Sequence, residues 1–402
     1  MFNKIKNAFK DGTILERIRD KIIFIIARLI MPFIYMSTEI DNKKIMFITF
    51  QGNYNCNQKF IVEEIIKRKI PFKMVWAARL VNLSDLDQYP KELKIVRRNS
   101  FKFYKELASS KIIFDNSTSF AFMNLKKRKG QIVLQTWHGS MGFKRLDPGS
   151  VNDRKWVRKA KVTGEVTDYC ITNSKFEEEV FKESYWPKTE FLKYGHTRND
   201  CLFNKNNEFD IYTKKVKDFY KIKDDVKICI YAPTFRDNYS FESYDLDYIK
   251  LHDALVKRFG GKWCILVRFH FRLRNFKIPK KYVNNVINAT DYNDMQELLC
   301  AGDVGITDYS SWMCDYVLTR RPGFLFATDI QKYIDDERGF YYPLSTTPFP
   351  VANNNDELVD KIVNFDDKKY QKEVDKFLKD RGCYEKGNAS KRVVDYLIKL
   401  SE

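Results

Sequence analysis

The chain has 402 residues, enough for two domains that each bury a core of their own. Apolar residues make up 44% and aromatic residues 15% of it, which excludes a disordered or low-complexity chain. A formal net charge of +18 suggests an anionic partner, whether nucleic acid, an acidic membrane face or a phosphate-rich polymer, with simple solubility as the alternative.

The first elements stand at the N-terminus. The segment "RIRDKIIFIIARLIMPFIYM" (Arg17 to Met36) is hydrophobic, but Arg28 interrupts it and Pro32 breaks it. It has no small-residue cleavage site and falls short of a clean span of about 20 residues. On a helical wheel Arg17, Lys21 and Arg28 fall in one narrow stripe, and most of the remaining circumference is Ile, Phe, Leu and Ala. That pattern suits a helix lying in a membrane interface, and residues 1–40 are read as a membrane-associating segment; a helix packed on the protein body is the alternative.

Strand-like and helix-like runs then alternate. "KIMFITF" (Lys44 to Phe50), "FKMVWAA" (Phe72 to Ala78), "KIVRR" (Lys94 to Arg98), "KIIFDN" (Lys111 to Asn116), "QIVLQTW" (Gln131 to Trp137) and "YCITNS" (Tyr169 to Ser174) read as strands. "NQKFIVEEIIKRK", "FKFYKELASS" and "KFEEEVFKESY" have helical spacing, and Ser174 stands as an N-cap before the third. The polar stretch "NKNNEFDIYTKKVKDFYKIKDD" (Asn204 to Asp225) marks a boundary. A second series follows in "VKICIYAPTFRD", "KWCILVRFHF", "VNNVINA", "VGITDYSS" and "GFLFAT". This rhythm predicts an α/β protein with two doubly wound, Rossmann-type domains, 41–205 and 206–402, facing a central cleft. The eight cysteines include no C-x-x-C and several lie in apolar runs, so they read as core residues in a reducing compartment.

The chemically useful residues cluster just after predicted strands, where open α/β sheets bind ligands. His138 follows "IVLQTW"; its imidazole, with an ordinary pKa near about 6.5, can take a proton from a hydroxyl at neutral pH. Gly139 and Gly142 let the backbone turn closely around a ligand, and Lys144 and Arg145 can neutralise a phosphate. Thr234 and Arg236 follow "ICIYAP", and Arg268 and His270 end "CILVRFH". Asp308, Ser310 and Ser311 follow "VGIT", with the serines at the start of a predicted helix; they form a phosphate cradle or simply cap that helix. Arg198, Arg236 and Arg268 can clamp phosphate oxygens, although Asp200 and Asp237 are near enough in sequence to pair with the first two. His196 is a second-rank candidate, and His252 sits in a helix.

The negatives narrow the choice. There is no P-loop, no G-x-G-x-x-G opening a helix after a strand and no Cys/His set at metal-ligand spacing. No tightly bound metal or cofactor is expected. Tyr and Phe are scattered without an RNA-stacking signature, so no nucleic-acid partner is expected either.

Six stretches, "LQTWHG", "IYAPTFRD", "RFH", "ITDYSSWMCDY", "RRPGFLF" and "DDERGFYYP", taken in order, resemble the motifs of the CDP-glycerol glycerophosphotransferase family of teichoic acid primases and polymerases, with relatives in capsule synthesis. "GHTRND" is similar to the family's Gly-Tyr-Pro-Arg-Asn-Asp. The resemblance covers roughly Lys44 to Pro343 and implies a GT-B-like fold with the donor held mostly by the second domain. It implies attack of an acceptor hydroxyl on the β-phosphate of CDP-glycerol, with CMP leaving. His138 and His270 fall on the family's catalytic histidines, and Asp308 to Ser311 fall on its donor-phosphate loop. Thr234, Arg236 and Arg268 join the donor side, and Gly139, Lys144, Arg145 and Arg198 the acceptor or phosphate side. The resemblance also implies a lipid-linked glycan or polyol-phosphate acceptor at the cytoplasmic face of a bacterial membrane, with peripheral attachment to its anionic surface. Where family polymerases often read His-Gly-Thr-Pro-Leu-Lys, this chain reads "HGSMGFK", so the acceptor and even the alditol stay open. Transfer of ribitol phosphate from CDP-ribitol, a GT-B glycosyltransferase using a nucleotide-sugar, and a non-enzymatic polyanion-binding protein are the competing readings.

Overall fold

The computed structural model describes residues 13–50, 52–79, 83–119, 127–234, 245–270, 278 and 285–402. Thirteen strands form two wholly parallel sheets among these residues. The first contains β1 (Asp41–Ile48), β2 (Lys73–Ala78), β3 (Lys94–Arg97), β4 (Ser110–Asp115), β5 (Ile132–Gln135), β6 (Tyr169–Ile171) and β7 (Glu190–Leu192), in the order 3-2-1-4-5-6-7. The second contains β8 (Val226–Tyr231), β9 (Lys262–Val267), β10 (Val286–Asn288), β11 (Val304–Thr307), β12 (Gly323–Phe326) and β13 (Val351–Ala352), in the order 10-9-8-11-12-13. Both orders reverse direction beside the first strand of their sheet, which opens a crevice at the strands' carboxyl ends.

The continuous apolar runs have a simple cause. β1 sends Ile45 and Phe47 into the core on one face and Met46 and Ile48 into the core on the other. A strand covered by helices on both faces needs apolar side chains at every position. Ser174 caps the following helix as expected, its Oγ accepting from Glu177 N–H at 3.1 Å.

Two segments depart from the sequence reading. The polar connector Asn204 to Asp225 contains a helix, Glu208–Tyr220, which buries Val216 in the second domain's core. Its charged residues hid one apolar stripe. The C-terminal helix Ala389–Ser401 does not stay with the second domain, as the 206–402 boundary implied: Val393, Val394 and Leu397 join Ile61, Ile65 and Leu192 in the first domain's core.

The N-terminal helix Thr13–Ser37 packs on the first sheet through Met31, with Ile23, Ile34 and Tyr35 partly buried beside it. Arg128 fastens its end, donating to the carbonyls of Tyr35 at 2.6 Å and Thr38 at 2.8 Å. The opposite face leaves Ile18, Ile22, Ile25, Leu29, Phe33 and Met36 exposed. The side chains of Arg17, Lys21 and Arg28 lie outside the described residues. No described helix is long and apolar enough to cross a membrane.

Candidate active site

His138 stands three residues beyond the end of β5, near the first sheet's switch point between β1 and β4. Its ring stacks between Phe50, at 5.6 Å between centroids, and Trp137, at 4.6 Å. Nδ1 lies 2.5 Å from the Asn116 carbonyl oxygen, which can only accept. The proton of the neutral ring is therefore on Nδ1, and Nε2 carries the lone pair of a base. Desolvation by the surrounding walls lowers the imidazole below its ordinary pKa; the Asn116 bond opposes this, and the Arg198 charge adds to it. The residue as a whole is nonetheless exposed. His138 is thus held neutral and oriented.

Its loop needs both glycines. A Cβ on Gly139 would stand 2.9 Å from Trp137 Nε1, and a Cβ on Gly142 would stand 2.7 Å from the Cβ of Ser311. Gly142 therefore lets the first domain's loop touch the second domain's Ser310–Ser311 turn. Met141 and Phe143 go further and are buried in the second domain's core. Below the loop lies a cavity of about 200 Å³, lined by His138, Gly139, Ser140, Lys144, Ser311 and Arg338 together with aromatic side chains that include Phe176 and Tyr341. The lining carries two cations, an imidazole, the hydroxyls of Ser140, Ser311 and Tyr341, and one carboxylate, Glu177, which already faces His196 Nε2 at 3.0 Å; the surplus of cations suits a phosphate-bearing ligand.

The predicted acceptor-side residues divide. Gly139 and Lys144 line this cavity. Arg145 does not: its Nε pairs with Asp147 at 2.8 Å on an exposed face. Arg198 is the larger correction. It is 3% exposed, with Nε 3.0 Å from Asp315 Oδ2, and Nη2 donates to the Gly139 carbonyl. Burial works against its charge, but Asp315 holds its pKa above the ordinary arginine value. It is an internal strut between Asp315 and the Gly139 carbonyl. Asp200, its expected partner, instead accepts from Ala389 and Ser390 N–H at 2.7 Å each and caps the C-terminal helix. His196 is fully buried, its Nε2 3.0 Å from Glu177 Oε2.

On the second sheet, Asp308 Oδ1 accepts from Thr234 N–H at 2.7 Å and also from Tyr309 N–H. It clips the ends of β8 and β11 together at that sheet's switch point. Ser310 and Ser311 are half-buried before a short helix, Trp312–Tyr316, and Ser311 makes no side-chain cap bond. Arg268 donates Nη1 to the Tyr292 carbonyl at 2.7 Å and forms no ion pair among the described residues. Desolvation lowers its pKa, with Asp294 and Asp291 opposing from further off. His270 follows two residues later, half-buried beyond the end of β9. Arg236 lies outside the described residues. Among the described residues no His, Cys, Asp or Glu cluster is arranged to hold a metal ion.

Neither Asn116 nor Arg338 was expected as a site residue from the sequence. Arg338 lay within "DDERGFYYP", and only folding reveals that this stretch crosses to the first domain, where Gly339 O accepts from Arg145 N–H at 2.9 Å.

Two parallel-sheet Rossmann-type domains, with the His138 cavity lined from both, define a GT-B-like α/β protein. Residues 30–399 match the family model described as CDP-glycerol:poly(glycerophosphate) glycerophosphotransferase, and the chain belongs to that family. A teichoic acid poly(glycerol phosphate) polymerase of Staphylococcus epidermidis is 32% identical over 382 residues, covering 89% of this chain and 50% of that one. A polymerase of the same description from Bacillus spizizenii is 28% identical over 372 residues, covering 89% and 92%. The solved wall teichoic acid polymerase TagF superposes with a TM-score of 0.79 at 28% identity, covering 96% of this chain and 98% of that chain, and a variant of it has been solved after soaking with CDPG.

Proposed function

We propose that this chain transfers glycerol phosphate from CDP-glycerol to a hydroxyl of a lipid-linked glycan or polyol-phosphate acceptor. The observation that carries the reading is the His138 geometry: an imidazole fixed as the Nδ1–H tautomer, with Nε2 left as base, in a cavity whose other walls include Lys144, Arg338 and Ser311. The acceptor hydroxyl gives its proton to His138 Nε2 and its oxygen attacks the β-phosphorus of CDP-glycerol. A new P–O bond forms as the bond from that phosphorus to the bridging oxygen breaks, and CMP leaves with that oxygen. Ser310, Ser311 and Thr234 border the diphosphate, while Arg268 and His270 offset its charge. A half-buried cation that forms no ion pair among the described residues suits that role at Arg268. Such transfers depend chiefly on positioning and electrostatics.

The N-terminal helix supports a second part of the proposal, peripheral attachment to the anionic cytoplasmic face of a membrane. The helix is fastened to the protein body by one face only, and its outward apolar stripe is exposed. Flotation with anionic vesicles tests this; Leu29→Glu with Phe33→Glu abolishes co-flotation if the stripe binds lipid, and unchanged co-flotation refutes it.

The test of the reaction is CMP release from CDP-glycerol, run in parallel with CDP-ribitol and nucleotide-sugars, with membrane-derived acceptor. CMP release from CDP-glycerol that requires His138 supports the reading. Release from CDP-ribitol alone moves it to the other alditol, and silence with both CDP-alditols overturns it.

A further inference from the structure

The buried "GHTRND" segment lies between the two halves of the site and touches both. It follows β7, and its residues 197–203 form a 3-10 turn. Arg198 N–H donates to Asn57 Oδ1 at 3.2 Å, and Asn57 Nδ2 in turn donates to the Thr136 carbonyl at 3.0 Å, two residues before His138. The Arg198 guanidinium donates through Nη2 to the carbonyl of Gly139, the residue after His138. The same guanidinium meets Asp315 through Nε at 3.0 Å and Nη2 at 3.4 Å. Asp315 belongs to the short helix that begins immediately after Ser310 and Ser311. Asn199 Nδ2 also donates to Asp315 Oδ1, at 2.9 Å, and to Glu385 Oε1, at 2.8 Å. Beside this network the Tyr342 hydroxyl donates to the Met141 carbonyl at 2.6 Å, so the His138 loop is held on the second domain from both sides.

We propose that Arg198 and Asp315 are an interdomain positioning pair, fixing the His138 loop and the Ser310–Ser311 turn as one body. The inference rests on the transfer reading above and deepens it. In a site divided between two domains, relative domain motion changes the distance from base to reacting phosphorus. A bidentate, buried arginine–carboxylate pair whose guanidinium also donates to the Gly139 carbonyl on the base's own loop removes that freedom. A misplacement of about 1 Å costs about 10²-fold in rate. Arg198 touches neither substrate in this account and acts through His138.

The test uses the full-length protein in four forms: wild type, Arg198→Lys, Arg198→Met and the double variant Arg198→Met with Asp315→Asn. Three readouts are taken on each: thermal unfolding, kcat and KM for CDP-glycerol, and the histidine ring signals in ¹⁵N NMR, with His138 assigned through His138→Gln. The expected result is a kcat loss of about 10²-fold in Arg198→Met with KM changed by less than about threefold. The double variant regains stability by removing both buried charges but keeps the kcat loss. Arg198→Lys is intermediate. In the NMR arm the His138 signal of Arg198→Met moves toward a mixed tautomer and titrates at higher pH, because the positive charge beside it has gone while Lys144, Arg338 and Glu177 in the same cavity are unchanged. A folded Arg198→Met with wild-type kcat and an unmoved His138 signal overturns the proposal. A raised KM at unchanged kcat overturns it too, in favour of a phosphate clamp. If Arg198→Met does not fold, Arg198→Lys and the double variant carry the same comparison. A wild-type enzyme silent toward CDP-alditols defeats the transfer reading alone, since the NMR arm reads positioning without any donor.

Discussion

The stretches "QTWHGSMGFK" and "GHTRND" look alike in sequence: each follows a strand of the first sheet and combines glycine, histidine and a cation. Folding gives them opposite environments. The first lines a cavity through His138 and Lys144, which Arg338 and Glu177 also border. The second is closed, with Thr197, Arg198 and Asn199 all buried and bonded to Asn57, Asp315 and Glu385. Burial even pushes Glu385 well above the usual carboxylate range, against hydrogen bonds from His196 N–H and Asn199. An arginine after a strand is therefore no evidence of ligand binding until its counter-ion is known. The open stretch should carry activity and the closed one should carry stability and geometry.

The sharpest break in this comparison is at its two extremes. His138→Gln, with near-native thermal unfolding, is expected to lower kcat by roughly 10²- to 10⁴-fold, because it removes a general base without leaving a buried charge. A folded variant with normal turnover removes His138 from the chemistry. Asp315→Ala is expected to do the reverse in kind: it leaves the Arg198 cation buried and unpaired, at about 3–5 kcal/mol of stability read by denaturant unfolding. A loss below about 1 kcal/mol there means that the junction is hydrated and not closed. The pH profile of kcat/KM sharpens the first case. Desolvation lowers the His138 pKa, so the basic form persists below about pH 6.5 and the acid limb falls below that value. An acid limb above pH 6.5 assigned to His138 contradicts its neutral, Nδ1-protonated state.

Next in size is Arg338→Gln. A charge-assisted bond to a phosphate contributes roughly 1.5–3 kcal/mol, so KM for the phosphate-bearing substrate rises about 10- to 150-fold with a smaller change in kcat. Unchanged KM for both donor and acceptor shows that the cation faces an empty wall.

The architecture was legible because its signal is local. Strands covered on both faces read as runs such as "KICIY" and "KIIF", and the turn from each strand marks a ligand-facing edge. His138 was legible for the same reason. What failed depends on contacts distant in sequence. Arg198 meets Asp315 117 residues away, where the sequence offered only Asp200 as a neighbour. The Ala389–Ser401 helix has an apolar stripe fit for either domain; Asp200 and the 3-10 turn that carries it draw the helix to the first. Arg338 takes the place at the cavity that chain order suggested for Arg145, because 338 to 341 bridge back onto 143 to 146.

That placement gives the smallest and most specific prediction. Arg145 follows Lys144 directly, and by sequence alone both serve one phosphate. In the fold successive residues of this extended stretch point to opposite sides: Lys144 lines the cavity, while Arg145 pairs with Asp147 at the surface. Exposed pairs of this kind contribute little, since water and salt screen them and two long side chains must be ordered to make them. Arg145→Gln is therefore expected to change stability by no more than about 0.5 kcal/mol and kcat/KM by no more than about twofold, while the same substitution at Lys144 raises KM. Measured side by side at two salt concentrations, the adjacent variants separate the cavity wall from the outer face. Equal losses at both positions return Arg145 to the site and show that the loop turns over when substrate binds.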